Sequence, residues 1–88
     1  MRTIVCSLNI FSLYQEIFIM NQELNGPELI TISDLENLYK TIAELSNQKN
    51  ISKIVLANNP TYCKKLAQDI EEYSKTHYSN NNLEIEVI

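Results

Sequence analysis

The densest run of chemistry-bearing residue types is Asn58-Asn59-Pro60-Thr61, followed by Cys63, Lys64 and Lys65. It falls where an apolar run, Ile54 to Ala57, gives way to a helical pattern. A strand-to-helix junction can hold a ligand because open α/β sheets bind beyond the carboxyl ends of strands. A helix N-terminus also offers free N–H groups to an anion. Asn58, Asn59, Thr61 and Lys64 therefore form a candidate anion or nucleotide site, with Lys65 adding positive charge. The same residues have a plainer use, in which Asn59 caps the helix, Pro60 starts it and the lysines are solvated. Capping is the favoured reading, since no Gly lets a phosphate approach the backbone closely.

Other reactive side chains are sparse. Cys63 stands near that helix N-terminus, where the dipole can lower a thiol pKa. The only other cysteine, Cys6, lies on a strand face assigned to the core, and both read better as small buried hydrophobes. His77 is the single histidine, fourteen residues beyond Cys63 on one helix. That separation is about four turns, too far for a direct dyad. His77 is expected to cover the C-terminal end of its helix. Glu71 and Glu72 point to different sides of a helix, and Glu84 and Glu86 line the polar face of an edge strand, where charge favours solubility. No catalytic set, metal site or cofactor site is expected.

Composition narrows the class further. The chain has 88 residues, 44% of them apolar, with two Cys and one Gly. One domain, residues 1–88, with a modest core fits that length. The apolar share excludes intrinsic disorder, and two cysteines cannot make a disulfide framework. The longest apolar stretches, such as Ile17 to Met20, are far short of a membrane span, and the N-terminus lacks the apolar core of a secretory signal. A net charge of -4 argues against gripping nucleic-acid phosphates. The abundance of Asn and Ile, with Arg2 as the only arginine, suits an AT-rich genome. A cytoplasmic protein of a low-GC bacterium or its phage is the matching expectation.

The elements that must position these residues follow from periodicity. Ile4, Cys6, Leu8 and Ile10 alternate with Thr3, Val5, Ser7 and Asn9, which predicts a strand over 2–11 with one buried face. Tyr14 to Met20 predicts a second strand, joined through Phe11 to Leu13 as an antiparallel hairpin. After the turn signal Asn25-Gly26-Pro27, Glu28 to Ile32 predicts a third. Ser33-Asp34-Leu35-Glu36 has the form of a capping box, and Leu35, Leu38, Tyr39, Ile42 and Leu45 predict a helix over 34–48. Ile51 to Ala57 is apolar on both faces over its second half and predicts an interior strand covered on both sides. Tyr62, Leu66, Ile70, Tyr73 and His77 predict a helix of about five turns from Pro60. Ser79 to Asn82 break it, and Leu83 to Ile88 alternate as a last strand. The fold expected is α/β, a two-layer domain with a five-stranded mixed sheet in the order β-β-β-α-β-α-β. Its core should hold Ile4, Cys6, Leu8, Leu38, Ile42, Leu45, Ile54, Leu56, Leu66, Ile70, Ile85 and Val87.

That order resembles the ribonuclease H-like fold. The segment Ile54-Val-Leu-Ala-Asn-Asn-Pro60, its helix and Leu83-Glu-Ile-Glu-Val87 resemble the second half of the Holliday-junction resolvase-like group. The resemblance covers nearly the whole chain in element order and matches no signature string. It implies a nuclease holding two divalent cations by carboxylates in the first strand, the first helix, the end of the fourth strand and a final helix. Here the first strand has no Asp or Glu, the fourth strand ends in Asn58 and Asn59, the first helix has Glu36 and Glu44 but Glu36 is explained by the cap, and no final helix follows Ile88. A truncated ribonuclease H-like fold without metal-nuclease activity is what the resemblance implies.

With both helices on one side, the other sheet face is left bare, yet the second strand is apolar in both phases. Val5, Tyr14, Phe18 and Met20 are therefore candidate interface residues, with Val55 or Leu56 joining from the central strand. The leading expectation is a non-enzymatic interaction module, a homodimer or an adaptor to another protein. A small nucleotide- or anion-binding protein or enzyme using Asn58 to Lys65 is one alternative, and an acidic inhibitor of a nucleic-acid-binding protein is another. Residues 21–27 folding over the bare face would remove the need for a partner.

Overall fold

The computed structural model describes residues 2–8, 13–21, 28–78 and 83–88. Its elements are β1 (Arg2–Ser7), β2 (Gln15–Asn21), β3 (Glu28–Ile32), α1 (Leu38–Gln48), β4 (Ile51–Ala57), α2 (Pro60–Tyr78) and β5 (Glu84–Val87). They form the α/β domain expected, a single mixed sheet ordered β3-β2-β1-β4-β5. β1 and β2 pair antiparallel, as do β2 and β3. β4 runs parallel to both β1 and β5. The β3-to-β4 and β4-to-β5 crossovers step the same way across this order, so crossovers of one hand put α1 and α2 on one face. Their burial agrees. Leu38, Ile42 and Ala43 of α1 and Cys63, Leu66 and Ile70 of α2 bury with Ile4, Cys6, Ile17, Ile19, Ile54 and Leu56 in one core. The short axis of the molecule, 22 Å, is that of two layers.

Alternation decides which strand residues reach that core. Ile4 and Cys6 are buried between half-buried Thr3 and Val5 and exposed Ser7. Leu8 follows the strand, also buried, its N–H donating to the Ala57 carbonyl at 2.9 Å. Ile4 pairs with Ile19 and Cys6 with Ile17, which fixes the phase of β2: Ile17 and Ile19 face the helices, Phe18 and Met20 face away. Ile51 joins the core although it is three residues from Ile54, because the β1–β4 register shifts between Arg2 and Thr3. A bulge of that kind returns a side chain to the face it would otherwise leave.

Several expectations need correction. The capping box does not form. The helix begins at Leu38 after Asn37, whose side chain caps no helix N–H and instead donates through Nδ2 to Asp34 at 3.0 Å. Ser33 to Leu35 close a tight turn, the Leu35 N–H donating to the Ser33 carbonyl at 3.1 Å, and the Leu38 N–H then donates to the Leu35 carbonyl at 3.4 Å. β4 is interior within the sheet but lies under helices on one face only; Val55 and Ala57 are half-buried on the other. Leu45, Ile85 and Val87 pack at the margin of the core, half-buried. β1 ends at Ser7, β2 is displaced to Gln15–Asn21, and β5 is trimmed to Glu84–Val87. Ile10, Phe11, the Asn25 to Pro27 turn and the Ser79 to Asn82 break lie outside the described residues.

Two asparagines shape the helix boundaries. Asn50, at φ 54°, closes α1 in the left-handed conformation often taken by Gly, after the Lys49 N–H bonds the Leu45 carbonyl at 3.0 Å. Asn58, at φ 76°, turns the chain out of β4 into α2.

Candidate interaction surfaces

At the β4–α2 junction, Asn59 is the helix cap. Its Oδ1 accepts from the Tyr62 N–H at 3.4 Å, and its carbonyl from the Cys63 N–H at 2.8 Å. Asn58 Nδ2 donates to Ser7 Oγ, tying the end of β4 to the end of β1. Thr61 and Lys64 are exposed on the first turns of α2. The structure thus gathers Asn58 and Asn59 at one strand end, but each amide already has a structural partner.

The thiols are suppressed as nucleophiles. Cys6 is fully buried, and burial, with Cys63 nearby as a lesser cause, pushes its pKa up to about 11. Burial also raises the Cys63 thiol, against a lowering by the backbone of Asn59. Cys63 Sγ lies 3.9 Å from the Ala57 carbonyl. His77 Nδ1 sits 3.3 Å from the Tyr73 carbonyl, and its ring stacks on Tyr73 with centroids 3.9 Å apart. Tyr39 of α1 meets Tyr73 edge-on at 5.9 Å. Beside these rings an open groove of about 420 Å³ runs between Tyr39 and Lys65, Asp69, Glu72 and Thr76 of α2. The groove was not foreseen, because Tyr39 and Tyr73 fit the core-facing spacing of their helices. Among the described residues no group of three or more His, Cys, Asp or Glu side chains is placed to hold a metal, and no helix is long and apolar enough to cross a membrane.

The outer sheet face carries a run of apolar side chains. Cross-strand register lines up Leu29, Phe18, Val5, Val55 and Glu86 in one row across all five strands. Met20, Thr3, Lys53 and Glu84 form the next row. Phe18 is 36% exposed, Met20 44%, Leu29 53% and Tyr14 47%, while Val5 is half-buried between its neighbours. No described element covers this face. The structure therefore brings Val5, Phe18 and Met20 together, with Tyr14 just before β2. Leu29 belongs with them and was missed, because β3 alone does not reveal which of its apolar residues faces away. Of the two central-strand candidates, Val55 is outward and Leu56 is fully buried. Lys53 and Glu86 bridge at 3.0 Å on the same face, and this contact raises the Lys53 pKa.

No protein-family model matches the chain, and neither a curated protein nor a solved structure matches it.

Proposed function

We propose that the chain is a non-enzymatic protein-interaction module that works through its outer sheet face, as a homo-oligomer or as an adaptor. The observation that carries this is the apolar row Leu29, Phe18, Val5 and Val55 with adjacent Met20, left without cover by any described element. These side chains expose on the order of 300 Å², about the size of the largest apolar patch on a typical monomer, which is often functional. The ribonuclease H-like resemblance enters the same proposal, as a truncated fold with neutral Asn58 and Asn59 where such a nuclease would hold carboxylates. So does a cytoplasmic setting in a bacterium or a phage-infected cell. The junction at Asn58 to Lys65 supports a ligand site less well, since Asn59 is used in capping and Asn58 on Ser7.

The test compares the wild type with Phe18→Glu, each carrying a photoreactive residue at Leu29. Phe18→Glu should leave the fold intact, because the side chain points to solvent. It should abolish both self-association in light scattering and crosslinks formed in extract from the source cells. Identical behaviour of the two proteins in both assays would refute the reading.

A further inference from the structure

We propose that the occupant of the outer sheet face is a second copy of this chain, crossed at a steep angle about a two-fold axis over Val5. The proposal rests on the sheet-face reading and adds the partner and its geometry.

The register supplies the symmetry. Val5 pairs with Phe18 on one side and Val55 on the other, so it sits at the middle of the five-stranded row. Lys53 pairs with Thr3, which places it one strand toward β4 and two residues toward the start of β1. Glu16 lies two residues from Phe18 on antiparallel β2, one strand the other way and toward the end of β1. Both offsets combine one strand spacing with two residues of rise, so each charge stands about 8 Å from Val5, on opposite sides. A two-fold axis in the interface, passing over Val5 along the perpendicular diagonal, exchanges them. Lys53 of each copy then lies over the partner's Glu16, twice per dimer. The strands cross at about 70°, near the orthogonal class of sheet packing.

The same operation places Leu29 over the partner's Met20 and Met20 over the partner's Leu29. Phe18 falls beside the partner's Val5 and Thr3. Simpler axes do worse. An axis along the strands through Phe18 stacks Glu16 on Glu16, and one along the row stacks Glu86 on Glu86. An axis along β1 sets Glu86 against Leu29. Area also asks for more than the apolar patch, whose roughly 300 Å² is under half of the about 800 Å² each partner gives to a standard interface. The contact must take in the neighbouring rows, and Glu16 and Lys53 are the charges nearest its centre. Glu16 has no ion pair among the described residues, and Lys53 has only Glu86 and remains partly exposed.

Sedimentation velocity over a micromolar concentration range tests this. The wild type should be a dimer. Lys53→Glu and Glu16→Lys should each raise the dissociation constant about tenfold or more, since each makes two attractive pairs repulsive. An equimolar mixture of the two variants should form a mixed dimer near wild-type strength, because both cross pairs are again opposite in sign. A mixture no tighter than either variant alone would overturn the arrangement. Should a reversal unfold the chain, Lys53→Gln and Glu16→Gln with their double variant read the same coupling, and strictly additive effects would overturn it. A dimer broken by Phe18→Glu but indifferent to both charges sinks this geometry and leaves the sheet-face reading standing. A monomeric wild type rules out the second copy, while crosslinks to another protein would still support that reading.

Discussion

Ser74 offers a direct test of the packing around α2. Its hydroxyl is buried, with the residue only 1% exposed, and its oxygen has no hydrogen-bond partner among the described residues. It falls on the buried stripe Cys63, Leu66, Ile70 and Ser74, so an apolar side chain suits the site. An unsatisfied buried hydroxyl costs about 1–3 kcal/mol of desolvation. Replacing it with Ala also gains about 0.5 kcal/mol of helix propensity. Ser74→Ala should therefore stabilise the domain by about 1–2 kcal/mol, allowing for a small void where the oxygen was. For a domain of this size that raises the Tm by about 5–10 °C. Ser46→Ala is the control. Ser46 is equally buried, but its hydroxyl donates to the Ile42 carbonyl at 2.7 Å. The lost bond, worth about 1 kcal/mol, offsets the propensity gain, and the net change should be within about 0.5 kcal/mol of zero. Urea unfolding at constant m-value measures both. If Ser74→Ala is no more stable than the wild type, the hydroxyl is satisfied and the reasoning fails.

Leu38→Ala and Leu66→Ala should each cost about 2–5 kcal/mol in the same assay, since both side chains are buried between the helices and the sheet. Loss of less than about 1 kcal/mol at either site would contradict the helix phases. The thiols should be silent in the native state, reacting with an alkylating reagent at pH 8 only after denaturant is added. The Cys6 thiol titrates near pH 11 when folded against an ordinary value of 9.0. The folded state thus holds its proton where the unfolded state has lost it. This contribution is fully present below pH 9 and is lost as the pH rises to 11, by about 2–3 kcal/mol in all. A stability curve flat over that interval would count against burial of Cys6.

Much of this fold was legible because its signals are periodic. Pro60 after two asparagines marked the start of α2, and Leu66 and Ile70 marked its buried stripe. The limits of β3 were plain because Pro27 and Ser33 bound it. What escaped depends on pairing, which no single segment contains. β2 is apolar in both phases, and Ile17 and Ile19 face inward only because they register with Cys6 and Ile4. Ile51 is buried because of a register shift against β1. Local chemistry also loses to local turns: the box at Ser33 to Glu36 has the right residues, but the Ser33 carbonyl accepts from the Leu35 N–H in a tight turn and the helix starts only at Leu38.

The same topology bears on why the proposed site is a sheet face and not the strand ends. In an open α/β sheet, ligands settle where successive crossovers diverge to opposite faces, opening a crevice at the strand ends. Here β3-to-β4 and β4-to-β5 step the same way, so no such divergence occurs. The end of β4 is closed by Asn58 bonding to Ser7 and by Asn59 capping α2. The helices that could have split over two faces instead pack on each other over Ile4, Ile17 and Leu56, covering the centre of one side of the sheet. Both asparagines at the end of β4 thus have structural partners, while Thr61 and Lys64 of the same junction stay exposed. The fold leaves Phe18, Met20 and Leu29 outward on the side opposite the helices. Such residues on a solvated strand are a liability for edge and face association unless something specific covers them. On the proposed sheet-face reading, recognition would rest on area and register, with Glu16 and Lys53, set on opposite sides of Val5, adding selectivity.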